Sequence, residues 1–85
     1  MADETLPDEL VITLRKPVTF ATETYAELRL REPTAAEMLQ WDKLTGVEAD
    51  IKAVAVVSGL PEPVVKQVGA RDLIQAGRYL GRFLD

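Results

Sequence analysis

Side chains able to carry out catalysis are scarce in this sequence. It contains no His and no Cys, and Ser58 is its only serine. These absences exclude a Ser-His-Asp triad, a thiol nucleophile, an imidazole base and a thiolate zinc site. Among the carboxylates, Glu48 and Asp50 are two residues apart and would point to different faces of a helix, while Asp72 would lie in a first helical turn. We interpret these carboxylates as solvated or capping groups, and we predict no enzyme, no metal site and no cofactor.

The negative charge of the chain is concentrated at its start. The 85 residues carry a net charge of −4, and a chain of this length forms one domain at most. Residues 1–9 contain no base and hold the acids Asp3, Glu4, Asp8 and Glu9, so residues 10–85 contain ten acids and ten bases. We therefore predict a disordered acidic tail over 1–9 and a single domain over 10–85. A neutral domain argues against a nucleic-acid surface, which needs a basic stripe.

The sequence also lacks the pattern of a membrane span or a secretory signal. Its longest unbroken apolar stretch runs from Ala53 to Val57, whereas a span needs about 20 residues. The start, Met1-Ala2-Asp3-Glu4, is acidic where a signal peptide would be basic. We expect a cytoplasmic protein that does not bind membranes, and the absence of Cys fits a reducing compartment.

Two segments alternate between apolar and polar residues, as half-buried strands do. In residues 10–15 the apolar face consists of Leu10, Ile12 and Leu14. In residues 24–31 it consists of Ala26, Leu28 and Leu30, with Tyr25 on the opposite face. Between them, residues 16–23 include Pro17, which cannot donate to a ladder. This segment predicts a long loop, in which Val18 and Phe20 pack back on the hairpin, unless these two residues extend a strand. The pattern indicates an antiparallel hairpin with one apolar face.

After the second alternating segment, the spacing of apolar residues changes from the period of two of strands to the period of helices. Thr34 and Glu37 predict a capping box at the start of a helix that runs to about Leu44 and ends at Gly46. Further helices are predicted from about Val47 to Ser58, from Glu62 to Val68, and from about Ala70 to Leu84. The expected fold class is α+β, with an N-terminal antiparallel β-hairpin followed by three to four helices packed on one face.

Partner binding is the function that the spare apolar surface suggests. The first predicted helix is apolar over more than half its circumference, which is wider than one core-facing stripe. Trp41 on it is either a core residue or a partner-facing anchor. Gly77 and Gly81 would allow close approach of the domain's own core or of a partner, and Tyr25 lies beside hairpin edges that another strand can extend. The candidate partner-binding residues are Met38, Trp41, Gly77, Gly81 and Tyr25.

A series of motifs of low specificity extends over about residues 10–85. It comprises Val11-Ile12-Thr13-Leu14-Arg15-Lys16-Pro17, the strand-to-helix junction over 28–37, Gly59-Leu60-Pro61 with Val64, Val65 and Val68, and Asp72-Leu73 running to Phe83-Leu84. This order resembles the small tail assembly chaperones of contractile-tailed, Mu-like and related bacteriophages. The motifs are hydrophobic positions and one Asp, without a catalytic signature.

The resemblance implies a protein that binds the tape-measure protein, a long helical rod that determines tail length. Such chaperones keep the rod soluble until tail-tube subunits polymerise around it, and they are absent from the finished virion. In many phages a longer form is also made by translational frameshifting, so a frameshift-extended form of this chain is a further expected partner. Independently of the resemblance, a two-stranded sheet with four helices has a thin core, which a homo-oligomer or a bound partner would help to complete. The resemblance assigns no catalytic residue and no residue-level binding site.

The sequence leaves two other functions open. The chain could be a small DNA-associated or antitoxin-like regulatory protein, or a minor structural tail protein that remains in the particle. For the first, Arg29 and Arg31 are the residues to consider, although Glu27 and Glu32 interleave with them. Salt-sensitive DNA binding would favour the regulator, and presence in purified particles would favour the structural subunit.

Overall fold

The computed structural model of the chain describes residues 8–84, and its architecture is α+β, as predicted. An antiparallel hairpin of β1 (Glu9–Phe20) and β2 (Glu23–Arg31) is followed by α1 (Ala35–Met38), α2 (Gly46–Ser58), α3 (Glu62–Val65) and α4 (Ala70–Gly81). A short 3-10 helix, Arg82–Leu84, follows α4. The predicted acidic tail lies largely outside the described residues.

The hairpin is longer than the alternation of the sequence predicts. Both strands continue to a turn at Ala21 and Thr22, so most of the segment 16–23 is strand. The prediction of a long loop there is wrong, and the alternative in which Val18 and Phe20 extend a strand is confirmed. A strand can pass through Pro17 because the ladder is irregular at that point, where no N–H has to donate across it.

This irregularity changes which residues of β2 face the core. Between the pairs Thr13–Glu27 and Val18–Tyr25, four residues of β1 stand opposite Ala26 alone. Ala26 is exposed, whereas Tyr25 is half-buried and packs against the core beside the buried Val18. The predicted placement of Ala26 on the apolar face and of Tyr25 on the opposite one is therefore wrong, because the irregular ladder breaks the period of two.

The first helix is much shorter than predicted. It ends at Met38 rather than near Leu44, and the chain continues in tight turns in which the N–H of Trp41 donates to the carbonyl of Met38 at 3.2 Å. These turns leave Leu39 75% exposed and bury Trp41, which is 8% exposed. The wide apolar arc predicted for this helix is thus wrong, because burial of Trp41 outweighs the helical propensity of the segment.

The later helices lie where the sequence predicts them. Gly46 begins α2 instead of ending the first helix, and Gly59 ends α2 in the left-handed conformation, with φ 78°. α4 and the 3-10 helix cover the predicted span from Ala70 to Leu84. α3 stops at Val65, before the predicted Val68, because the chain tightens there into hydrogen bonds that reach three residues back.

One core joins the hairpin to α2, α3 and α4. Its most deeply buried side chains are Leu28, Leu30, Val54, Val64 and Val65. On α4, Tyr79 is 5% exposed, while Ile74 is 50% exposed. The ring of Tyr79 meets Phe83 edge to face, with centroids 5.2 Å apart, an arrangement that aromatic pairs favour. Within residues 8–84, none of the helices is long and apolar enough to span a bilayer.

Candidate partner-binding site

A cavity of about 110 Å³, partly open to solvent, lies between α2 and α4. Its lining residues come from the two helices and from the turns after α1: Trp41, Ala49, Asp50, Ala53, Gly77, Leu80 and Gly81. On each helix these residues are spaced so that they share one face. We call this recess the α2–α4 cavity.

The α2–α4 cavity brings together some of the residues that the sequence singles out, but not all of them. Trp41, Gly77 and Gly81 line it. Met38 does not line it, and its side chain is partly buried against the core. Tyr25 lies on β2, where its hydroxyl donates to Glu23 Oε1 at 2.9 Å, and this hydrogen bond raises the pKa of Tyr25.

Trp41 is a core residue and a wall of the cavity at once. It is 8% exposed and belongs to the same buried cluster as Leu28 and Val54. The two interpretations of Trp41 that the sequence left open are therefore compatible in this position. A side chain that enters the cavity would contact Trp41 without requiring it to leave the core.

The two glycines of α4 have different surroundings. A Cβ at Gly77 would lie 3.1 Å from Cγ and Oδ1 of Asp50, so the absence of a side chain there lets α2 approach α4 closely. A Cβ at Gly81 would meet no atom within 4 Å. Gly77 thus serves the internal packing of the domain, whereas Gly81 keeps space open at the cavity.

Asp50 is the charged group of the cavity, and the sequence interpretation did not place it there. Its side chain is half-buried beside Ala49 and Ala53, and within residues 8–84 it forms no hydrogen bond and no ion pair. The interpretation as a solvated carboxylate followed from its spacing to Glu48. The available signal was its place on one helix face with the small residue Ala53, three positions further along.

Asp72 is buried rather than solvated. It is 3% exposed, and its Oδ2 accepts the backbone N–H of Arg15 at 2.9 Å. The guanidinium of Arg15 lies 3.6 Å from the other carboxylate oxygen. Its position in the first turn of α4 is as predicted, but the carboxylate connects that helix to the irregular part of β1 and is not directed to solvent.

The junction between β2 and α1 contains the predicted capping box. Thr34 accepts the N–H of Glu37, and the Glu37 carboxylate accepts the N–H of Thr34. The same carboxylate binds both terminal nitrogens of Arg31, at 2.8 and 2.7 Å. The guanidinium and the Thr34 N–H lower the pKa of Glu37 to about 2.

Both arginines considered for nucleic-acid contact are engaged by carboxylates. Arg31 is held by Glu37, and the Nε of Arg29 lies 2.8 Å from Glu27. Across residues 8–84, no group of three or more acidic side chains is arranged to hold a metal ion. The arrangement of the α2–α4 cavity is suited to binding a side chain, because its walls are apolar and its carboxylate has no partner among the described residues.

Comparison with known proteins identifies the family of the chain. A family model described as phage tail assembly chaperone proteins, E, or 41 or 14, matches residues 11–85. No curated protein and no solved structure matches the chain. The matched residues include β1 from Val11 onward, β2, the four α-helices described above and every residue that lines the α2–α4 cavity. The chain therefore belongs to the family of phage tail assembly chaperones.

Proposed function

We propose that this chain binds the tape-measure protein of a phage tail and keeps it soluble while tail-tube subunits assemble around it. Membership of the chaperone family supports a protein partner in tail assembly. The observation that carries the proposal is the α2–α4 cavity, whose lining includes Trp41, Leu80 and the open position at Gly81. A recess between two helices can receive an anchor residue of a partner helix.

Exposed apolar side chains outside the cavity support the same function. Leu39, Val47 and Ile74 are 75, 63 and 50% exposed. A long helical protein that has not yet been covered by the tail tube presents apolar surface and tends to aggregate. Apolar side chains on the chaperone can cover part of that surface and delay aggregation.

In this function the chain has a defined location and further partners. The chain acts in the bacterial host cytoplasm, without enzymatic activity, and it is absent from the mature virion. A frameshift-extended form of the chain and a second copy of the chain are additional partners. In this function the chain contacts neither nucleic acid nor a membrane.

Co-expression with the tape-measure protein tests this function. With the chain present, we expect a larger soluble fraction of the tape-measure protein and a complex that survives size-exclusion chromatography. The chain should be missing when purified particles are analysed by mass spectrometry. Failure of the wild-type chain to form this complex contradicts the proposal, its presence in particles indicates a structural tail protein, and salt-sensitive binding to DNA indicates a regulator.

A substitution at Gly81 tests the location of the site. Gly81→Leu adds a side chain where a Cβ has no neighbour within 4 Å, so it should fill the cavity without a clash at the backbone, and circular dichroism checks that the variant folds. Gly69→Leu, at the opposite end of α4, is the matched control because a Cβ there also has no neighbour within 4 Å. We expect Gly81→Leu to lose the complex and Gly69→Leu to keep it. Equal binding by both variants would place the contact elsewhere.

A further inference from the structure

We propose that the α2–α4 cavity receives a lysine or arginine side chain from a helix of the partner, and that the cationic group of this side chain pairs with Asp50. The identity of the partner rests on the proposed function, whereas the chemistry of the cavity rests on the residues of this chain. The partner helix must therefore present a basic side chain to the cavity.

The carboxylate of Asp50 supplies the charge complementarity. Other acids that are at least partly covered are paired: Asp72 with Arg15, Glu37 with Arg31, and Glu62 with Lys52. Asp50 is also half-buried, yet within residues 8–84 it has no hydrogen-bond or ion-pair partner. A carboxylate that has lost part of its hydration gains more from an incoming cation than a fully solvated one does.

The walls of the cavity suit the stem of the same side chain. Apart from Asp50 they are Trp41, Leu80 and the small residues Ala49, Ala53, Gly77 and Gly81. Lysine and arginine have apolar stems that pack along such surfaces while the charged group stays near water. The volume of about 110 Å³ is below that of the cavity of about 150 Å³ that holds one benzene molecule. The recess therefore has room for no more than one side chain.

Other side chains fit the cavity less well. A leucine or phenylalanine would contact the apolar walls but would further desolvate the Asp50 carboxylate without a counter-charge, which is unfavourable. An acidic side chain would be repelled by the carboxylate. A basic side chain is the occupant that satisfies both the walls and the charge.

A titration of the free chain tests the chemistry of the cavity without the partner. The probe is n-butylammonium, which reproduces the end of a lysine, and n-butanol is its neutral counterpart. Trp41 is the only tryptophan, so its fluorescence reports on the cavity. We expect a saturable change with n-butylammonium, with a Kd on the order of 1–10 mM for so small a ligand, and a weaker response to n-butanol.

Two matched variants isolate the charge of Asp50. Asp50→Asn removes the carboxylate and should weaken the n-butylammonium response at least five-fold. Glu48→Gln removes the same charge two residues away, at an exposed position that does not line the cavity, and should retain the response. Thermal unfolding followed by circular dichroism checks that both variants fold. If Asp50→Asn does not fold, Asp50→Ala takes its place. An equal response of wild type and Asp50 variants, including no response in either, would overturn the inference.

The complex with the tape-measure protein provides the second measurement. We expect Asp50→Asn to weaken the complex about 5- to 30-fold and to reduce its dependence on salt, as loss of a charge-assisted contact does. Glu48→Gln should change the affinity less than two-fold. A complex that is unaffected by Asp50→Asn overturns the inference and leaves the proposed function intact. If the wild-type chain forms no complex at all, the proposed function fails and the n-butylammonium titration alone decides the cavity chemistry.

Discussion

Asp72 illustrates how a single buried carboxylate can stabilise an interrupted β-ladder. It accepts the N–H of Arg15 at 2.9 Å, and Arg15 lies in the part of β1 between Thr13 and Val18 where the regular pairing stops. Backbone N–H groups need a partner when they leave the ladder. The carboxylate supplies that partner and connects β1 to the first turn of α4.

Removal of this acceptor should destabilise the domain. We expect Asp72→Ala to lower the free energy of unfolding by about 1–3 kcal/mol, because it leaves the Arg15 N–H without its acceptor. Asp72→Asn retains an oxygen and should cost less. Urea denaturation measures both effects, and Asp42→Ala, at an exposed residue, is the control that should stay within about 0.5 kcal/mol of wild type. A loss that is the same for Asp72→Ala and Asp42→Ala would contradict this role.

At the scale of the elements, the junction between β2 and α1 depends on one carboxylate with several partners. Glu37 closes the capping box with Thr34 and also binds Arg31, the last residue of β2. α1 has only four residues, and a helix of that length is not stable without such contacts. The direction in which the chain leaves the hairpin, and with it the position of Trp41, follows from this junction.

The same junction should make stability depend on pH. The pKa of Glu37 is lowered from 4.5 to about 2 in the folded chain. Between these two pH values the unfolded chain therefore binds a proton at Glu37 that the folded chain does not bind. The contribution of Glu37 is therefore complete above its unfolded pKa and is lost as the pH falls from about 4.5 toward 2. We expect the difference in unfolding free energy between wild type and Glu37→Gln to be constant above about pH 5.5 and to diminish through this window.

Thermal unfolding of the two proteins from pH 2 to 7 measures this dependence. Glu27→Gln is a suitable control because Glu27 also pairs with an arginine, Arg29, but is not part of a helix cap. A difference between wild type and Glu37→Gln that does not change with pH would show that the carboxylate charge is not what stabilises the junction.

At the scale of the whole molecule, the described part is elongated, and the net negative charge is concentrated at the start of the sequence. The described part measures 43 × 27 × 19 Å, with a long hairpin against a small helical layer. A chain of 85 residues buries a limited core, so its stability margin is small. The net charge of −4 comes from residues 1–9, which contain four acids and no base.

Shortening the acidic start should reduce solubility. Deletion of residues 2–8 removes Asp3, Glu4 and Asp8 and changes the net charge from −4 to −1. Because net charge opposes self-association, we expect earlier precipitation in a polyethylene glycol titration at pH 7. The full-length triple variant Asp3→Asn, Glu4→Gln, Asp8→Asn has the same charge and should precipitate at the same point. If the triple variant stays as soluble as wild type, the acids are not the cause.

The candidate site could be predicted from the sequence only in part. Trp41, Gly77 and Gly81 were identifiable because Trp is common at interfaces and because glycines four apart share a helix face. Asp50 was not identifiable, since its place in the cavity depends on α4 passing close to it at Gly77, which has no side chain. The interpretation of Met38 and Tyr25 as partner contacts stays a prediction, and neither residue lines the α2–α4 cavity.

The sequence by itself determined the features that depend on neighbouring residues. These are the α+β order, the capping box of Thr34 and Glu37, the end of α2 at Gly59 and the start of α4 at Ala70. Only the tertiary structure decided the length of the hairpin, the early end of α1 and the meeting of Trp41, Asp50 and Gly81 at one cavity. The physical reason is that ladder register and helix approach result from contacts between residues far apart in the chain, which local periodicity does not encode.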